Sequence, residues 1–375
     1  MKISLVRGPA IITVDGECYI LGVKITNQKI FWNSSKVLPI EKKENTRIQL
    51  IGNKGQINDI LSKKDLSNLG MSIWKKISDE ILNQKNKTIA VIGPSDSGKS
   101  TFSLYLANRL IDNGQRPLLL DADVGQGDLA PPTCIGAAVL VQQVIDLSMI
   151  KADYVSFIGS TQPSFNETRI INCVNKLITK SRYHDRCIIN TDGYVNGKGL
   201  YYKLRLLKKI KPDCIVCLGK TNIQTTLTQC TKAPNCWKFI IKHGRKPNSI
   251  IKRTQVDRYR KRMNTFAKFV DQENTEVVQI HLKDIKSIYY RNRFHKTNYS
   301  NNYLDVSKIR HFFLEFARNK RMENVFTGLG LLGERDLVQG YGIVKNFEND
   351  ILFILTTCKK FDSIYLSESQ LDFII

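Results

Sequence analysis

One short segment constrains this chain more than any other. Gly93-Pro94-Ser95-Asp96-Ser97-Gly98-Lys99-Ser100-Thr101 satisfies G-x-x-x-x-G-K-[ST] throughout. The apolar run Ile89-Ala90-Val91-Ile92 precedes it. Phe102, Leu106 and Leu110 follow at helical spacing until Asn113-Gly114 closes the pattern. Strand, glycine-rich loop and helix in that order make a phosphate cradle. The glycines let the backbone curl until successive N–H groups converge on phosphate oxygens. The positive end of the following helix adds to the attraction. Lys99 has the reach for β and γ phosphates, and the Ser100 hydroxyl suits Mg²⁺. All residues from Gly93 to Thr101 are therefore expected to hold a nucleotide.

The fold that carries such a loop is α/β. Further strands are predicted at Pro117-Leu118-Leu119-Leu120, Tyr154 to Ile158, Cys187-Ile188-Ile189, Cys214 to Leu218 and Phe239-Ile240-Ile241. Helical spacings lie between them, as in Ile170/Val174/Leu177 and Leu200/Leu204/Leu207. Apolar strands alternating with helices give a mostly parallel sheet covered on both faces. Upstream the texture differs. Ala10 to Val14, then Asp15-Gly16, then Cys18 to Leu21 read as a hairpin, and Arg47 to Ile51 with Gly52-Asn53 as a strand and turn. Ile73, Trp74, Ile77 and Ile81 predict a helix. Late in the chain, strand-like segments return with Gly328, Gly330, Gly333, Gly340 and Gly342 at turns, and with Ile351 to Leu355 as a buried strand. A length of 375 residues suits two or three domains. The expected organisation is a β-rich domain with a linker helix over 1–85, a P-loop domain with a basic lid over 86–270, and a β-rich or α+β domain over 271–375.

The predicted strand after the P-loop helix runs into Asp121-Ala122-Asp123-Val124-Gly125-Gln126. Carboxylates at the C-terminal end of such a strand are placed for Mg²⁺ or for proton transfer. Asp123 is the stronger candidate, and Asp121 reads equally as a loop carboxylate. A regulatory GTPase would carry Asn/Thr-Lys-x-Asp after a late strand, and Gly219-Lys220-Thr221-Asn222 fails at both ends. ATP is the expected nucleotide.

Composition narrows the partner. At 42% hydrophobic and 24% charged residues, the chain is foldable rather than disordered. It has 57 Lys and Arg against 34 Asp and Glu, a formal charge of +23, and an excess that large calls for a polyanion. The stretch from Ile250 to Lys268, which includes Lys252, Arg253, Arg258 and Arg262, is densest in these residues. Such a helix is ordinarily a solvated face. However, guanidinium forks four residues apart suit phosphates. Nine cysteines is an odd number, expected as reduced thiols. Cys214 and Cys217 lie three apart on a predicted strand and so face opposite sides, unsuited to one metal ion. No apolar run is long enough for a membrane span and no signal peptide is read at the N-terminus, so a cytoplasmic protein is expected, or a nuclear one in a eukaryote.

Together these segments resemble the P-loop polynucleotide 5′-hydroxyl kinases, a family of RNA-processing enzymes with compact archaeal members. The likeness rests on Asp123-Val124-Gly125-Gln126, on Gly159-Ser160-Thr161-Gln162-Pro163, on Asn190-Thr191-Asp192-Gly193-Tyr194 with Gly197-Lys198-Gly199, and on Arg253, Arg258 and Arg262. Arg7-Gly8-Pro9, Gly328-Leu329 and Gly340-Tyr341-Gly342 extend it into the flanking regions. The resemblance implies transfer of the ATP γ-phosphate to the 5′-hydroxyl of RNA, with DNA as a second acceptor. It implies that Asp123 orients or deprotonates the hydroxyl, that Lys99, Arg258 and Arg262 stabilise the transferring phosphoryl group, and that Ser100, Asp121 and Asp123 serve Mg²⁺. It also implies that Gln126, Thr161, Gln162, Tyr194 and Arg253 hold the RNA. Tyr194 stands where the family has tryptophan, which keeps a stacking face of smaller area; a core aromatic is the alternative there. Two other classes share parts of the pattern. A non-catalytic ATP-binding RNA-processing subunit would show a damaged P-loop or lack the aspartate. A P-loop kinase of a small molecule would not need the +23 charge or the basic lid.

Overall fold

Short alternating strands build the N-terminal part of the chain. In the order Val23–Thr26, Glu17–Ile20, Val37–Lys42, Lys2–Arg7, Gln56–Ile60 they form one antiparallel sheet, and Lys29–Trp32, Ala10–Asp15, Arg47–Ile51 form a second. The computed structural model describes residues 2–32, 37–52, 55–60, 70–181, 183–231, 236–244, 253–270, 274–290, 293–296, 310–315, 323–334 and 337–371. Asn53, expected in a turn, and Lys252, expected in the basic segment, lie outside these residues. The described chain forms two compact units: Met1–Leu119, Val139–Ile150 and Ser181–Lys252 make one, and Leu120–Ala138, Lys151–Lys180 and Arg253–Ile375 the other.

Asp15-Gly16 is not the hairpin turn that its sequence suggests. The strands on its two sides belong to different sheets, so the dipeptide is a corner. Gly16 has φ +103°, its N–H donates to Asn27 Oδ1 at 2.7 Å, and the Glu17 N–H donates to Thr46 Oγ1 at 3.1 Å. These side-chain acceptors replace ladder partners and let the strand leave one sheet for the other. The tight hairpin lies five residues on, at Leu21-Gly22, where both residues have positive φ. Leu21 tolerates that conformation because its side chain is buried and its carbonyl accepts from Asn108 Nδ2 at 2.8 Å.

The helix Met71–Leu82 buries Met71, Trp74, Ile77 and Ile81, and Trp74 meets Phe102 edge-to-face at 5.5 Å. Four parallel strands of the same unit lie side by side in the order Arg186–Thr191, Thr88–Ile92, Cys214–Leu218, Ile240–Gly244. Thr88–Ile92 and Cys214–Leu218, in the middle, are apolar along nearly their whole length because helices cover them. Ala90, Ile92, Ile215 and Cys217 pack with Leu207 of the helix Lys198–Ile210 and with Ile223 and Leu227 of the helix Asn222–Cys230. Cys214 and Cys217 are buried thiols, each pushed up to about 12 by burial.

The second unit carries a strand missing from the sequence reading, Cys134–Val139, antiparallel to Tyr154–Phe157. It also holds the helices Glu167–Lys180 and Gln255–Phe269. Its seven-stranded sheet runs Glu276–His281, Ile351–Thr356, Gly340–Glu348, Val325–Gly330, Ser363–Gln370, Ser287–Tyr290, Arg293–Lys296, antiparallel except where Ser287–Tyr290 meets Ser363–Gln370. Phe266 and Val270, at the end of Gln255–Phe269, are buried against Phe157, Phe326 and Tyr365, with Phe266 and Phe326 rings 4.7 Å apart. The fold class is the expected one: an α/β P-loop core with β-rich segments towards both chain ends. Among the described residues no helix is long and apolar enough to cross a membrane.

Candidate active site

The helix Lys99–Asp112 begins directly from the P-loop. Gly98, its N-cap, has φ +90°, and Asp96 has φ +56°, so the loop turns twice through left-handed backbone before the helix starts. A side chain at Gly93 would come within 2.3 Å of the Leu218 carbonyl oxygen, which leaves glycine as the residue that fits. Lys99 is 6% exposed, and its Nζ donates to the Pro94 carbonyl at 2.8 Å, arching across the loop. The ammonium is thereby held at the loop's mouth.

A second turn from the same unit abuts this loop. Arg186–Thr191 runs into Asp192-Gly193-Tyr194. Asn190 Nδ2 donates to Ser100 Oγ at 3.1 Å, and a Cβ on Gly193 would lie 2.2 Å from Ser95 Oγ and 2.6 Å from Ser95 N. Asp192 holds the turn from inside. Its Oδ1 accepts the Tyr194 N–H at 2.8 Å, and its Oδ2 meets the Tyr202 hydroxyl at 3.0 Å and Lys203 Nζ at 2.7 Å. Lys203 is fully buried. Tyr194 is half-buried, its ring stacked on that of Tyr202 with centroids 6.2 Å apart, and Gly199 fits against its backbone.

The other unit contains an acidic loop and a basic helix. Asp121 is buried; its Oδ2 accepts the Asp128 N–H at 2.7 Å and its Oδ1 the Asp123 N–H at 3.3 Å. It closes the 121–128 loop on itself, a shaping role. Asp123 is more exposed, and its Oδ1 accepts the N–H groups of Gly125 at 3.1 Å and Gln126 at 2.9 Å, which fixes the carboxylate's direction. Gln126 faces the basic helix. Its Nε2 donates to the Arg258 carbonyl at 3.2 Å, its Oε1 accepts from Arg253 Nη1 at 3.4 Å, and its own carbonyl accepts from Lys261 Nζ at 2.5 Å. Lys261 also pairs with Asp128 at 2.8 Å. A capping box between Thr254 and Asp257 starts the helix Gln255–Phe269. Arg258 and Arg262 lie one turn apart, both half-buried. Burial first, and then the charge of Arg258, hold the Arg262 guanidinium below its ordinary value, so an anion beside the pair would relieve both. The turn Gly159 to Gln162 is tied by Gln162 N–H to Ser160 Oγ at 3.2 Å and leads into Pro163–Phe165. A Cβ on Gly125 would meet the Thr161 carbonyl at 2.8 Å, which places Thr161 beside the Asp123 loop.

Residues 93–272 match the family model described as mRNA cleavage and polyadenylation factor CLP1 P-loop. This segment belongs to the Clp1 P-loop family. A polyribonucleotide 5′-hydroxyl-kinase of Pyrococcus horikoshii is 32% identical over 145 residues, 38% of this chain and 40% of that protein. One of Pyrococcus furiosus is 36% identical over 133 residues, 35% of this chain and 38% of that protein. A CLP1 homologue of Nematostella vectensis is 32% identical over 152 residues, 37% and 35% of the two chains. The chain thus aligns with about two fifths of the length of these relatives. The solved structure of a Clp1p–Pcf11p complex shares the fold, with a TM-score of 0.67 over 99% of this chain and 94% of that one at 13% identity.

In this Clp1-type segment the loop Gly93 to Thr101 has the sequence and the left-handed turns of a phosphate-binding loop. Sequence reading singled out residues of the loops themselves and missed those packed behind them. Asp192 was visible only as the variable position of a motif, and Lys203 as one of many basic residues of a helix. Lys261 was likewise one charge in a basic run, although it joins the lid to Asp128. The helical spacing of Lys203 with the buried Leu206 and Leu207 was the available signal, since it puts a lysine on the covered face.

Proposed function

We propose that this protein transfers the γ-phosphoryl group of ATP to the 5′-hydroxyl of a polynucleotide, RNA first and DNA second. What supports this reading is that one Clp1 family segment contains both an intact P-loop, with Lys99 held at its mouth, and an Asp123 carboxylate whose direction is fixed by its own loop. The names of the archaeal relatives support it. Residues 86–270 would do the chemistry, and 1–85 and 271–375 would be flanking domains.

In this reading the residues from Gly93 to Thr101 bind the nucleotide's phosphates. The acceptor's 5′-oxygen attacks the γ phosphorus, its proton passes to an Asp123 oxygen, and the bond to the β–γ bridging oxygen breaks to release ADP. Lys99, Arg258 and Arg262 neutralise the charge that spreads over the transferring group, the main requirement of phosphoryl transfer. Thr161 and Gln162 hold the RNA end, and the free face of Tyr194 stacks on a base. Arg253 and Gln126 contribute by keeping the lid on the Asp123 loop. Ser100 and Asp123 carry oxygen donors of the kind Mg²⁺ takes, and these residues would hold the ion. Among the described residues no cluster of three or more His, Cys, Asp or Glu is placed to hold a metal ion. When bound, Mg²⁺ would supply neutralisation of phosphate charge. Asp121, with both oxygens on backbone N–H groups, shapes the loop around it.

The test is transfer of labelled γ-phosphate from ATP to 5′-hydroxyl RNA and DNA oligonucleotides. Wild type should label the RNA, and Lys99→Ala, folded by circular dichroism, should lose at least about a hundredfold in rate. Absence of label on any 5′-hydroxyl acceptor would overturn the proposal.

A further inference from the structure

The helix Lys198–Ile210 follows the Tyr194 turn, and one of its faces is basic along its length. Its exposed positions are Lys198, Tyr201, Arg205, Lys208 and Lys209. The spacing of three and four residues from Lys198 through Tyr201 and Arg205 to Lys208 makes one continuous stripe. Its sequence, KGLYYKLRLLKKI, contains no acidic residue. Lys208 and Lys209 in the last turn complement the helix dipole, but Lys198 in the first turn opposes it, and no acidic residue stands there. Arg205 also faces Lys208 and Lys209 across one turn, a repulsive arrangement on an isolated helix. Tyr201, in the middle of the stripe, is 70% exposed. The opposite face is fully committed: Tyr202, Lys203, Leu206 and Leu207 are buried, and Tyr202 and Lys203 hold Asp192 behind Tyr194.

We infer that this face carries the single strand downstream of the 5′ end: Lys198, Arg205 and Lys208 meet its phosphates and Tyr201 stacks on a base. The inference rests on the kinase reading above and extends it from the terminal nucleotide to the strand behind it. Rows of cationic side chains around an exposed aromatic ring are the sequence-tolerant way of holding single strands. From Lys198 to Lys208 the helix advances about 15 Å, the length of about four nucleotides at a stacked rise of about 3.4 Å. The turn bearing Tyr194 is joined to this helix through Gly199, packed on the Tyr194 backbone, so a strand whose first base reaches Tyr194 has the stripe next in its path.

The experiment compares a 5′-hydroxyl dinucleotide with a 12-nucleotide RNA as acceptors, for wild type and for Lys198→Gln/Tyr201→Ala/Arg205→Gln/Lys208→Gln. The dinucleotide ends before the stripe and serves as an internal control for folding and chemistry. Its kcat/KM should be the same in both proteins. The 12-mer should lose about tenfold to a hundredfold in kcat/KM through a higher KM, since three phosphate contacts with a log–log salt slope of about 0.7 each are worth up to about a hundredfold near 0.1 M salt. The salt slope of 12-mer binding should fall by about 2. Equal KM values and equal slopes for the 12-mer in the two proteins would overturn the inference while leaving the kinase reading intact. If wild type labels neither acceptor, the kinase reading itself fails, and this inference with it. A variant in which both acceptors lose activity equally would also count against the stripe as the strand's path.

Discussion

Replacing Lys203 with methionine tests whether the phosphate loop depends on a buried charge pair behind it. Lys203 Nζ lies 2.7 Å from Asp192 Oδ2, with side-chain exposures of 0% and 3%, and 4.5 Å from the Tyr202 ring centroid. Removing the ammonium leaves a buried carboxylate. Breaking such a pair from one side costs about 3–5 kcal/mol. The Tyr202 hydroxyl at 3.0 Å and the Tyr194 N–H at 2.8 Å remain on Asp192 and place the loss near the lower figure. At about 2–4 °C per kcal/mol for a unit of this size, Tm should fall by roughly 6–12 °C. Lys203→Met/Asp192→Asn removes both charges while Asn still accepts the Tyr194 N–H, so it should recover to within about 1 kcal/mol of wild type. Asp192 steadies the turn whose Gly193 lies against Ser95, so the single variant should also bind ATP more weakly than the double one. Denaturant unfolding of wild type, both singles and the double gives the coupling energy directly. A Lys203→Met protein as stable as wild type, or a double variant no better than the single, would refute the argument.

Three further substitutions probe the site itself. Gly193→Ala places a methyl group 2.6 Å from the Ser95 backbone nitrogen, so the P-loop must shift; KM for ATP should rise at least about tenfold with little change in RNA binding, read by varying each substrate separately. Asp123→Asn keeps an oxygen for the Gly125 and Gln126 N–H groups but loses the base; turnover should drop by about 10²–10⁴ while ATP affinity, measured calorimetrically, stays within a few-fold. Arg262→Lys keeps the charge and loses the planar fork; kcat should fall more than either KM, and an unchanged kcat would return the residue to the surface of a basic helix.

What the sequence revealed depended on how local the governing interactions are. Thr88–Ile92, Cys214–Leu218 and the helix Lys99–Asp112 follow from short-range patterns, a solid apolar run or a 3.6-residue period, and each stands where it was read. Cys134–Val139 escaped because Cys-Ile-Gly-Ala-Ala-Val is small and weakly patterned. Its strand state comes from pairing with Tyr154–Phe157. Asp15-Gly16 misled because a turn dipeptide specifies only a change of direction; partners as distant as Asn27 and Thr46 made it a corner between sheets. The site divides in the same way. Gly93 to Thr101 and Asp123 announce themselves by motif. Asp121 as loop closer, Gln126 as the lid's anchor and Lys203 beneath Tyr194 are defined by contacts over long sequence distances, such as the 132 residues between Gln126 and Arg258, which no period records.

Under the proposed transfer reaction, the burial of Phe266 would give the C-terminal sheet a mechanical part in the chemistry. That ring is packed against Phe326 and would serve as the fulcrum of a lever whose far end is Arg258, eight residues and about 12 Å away along the axis. Through that arm, a tilt of about 10° at Phe266 swings the guanidinium end by about 2 Å, and a misplacement of about 1 Å can cost a hundredfold in rate. Reshaping the wedge, as in Phe326→Leu, would therefore detune the arginines without touching them. A partner that gripped the outer strands of this sheet would have a handle on turnover far from the nucleotide.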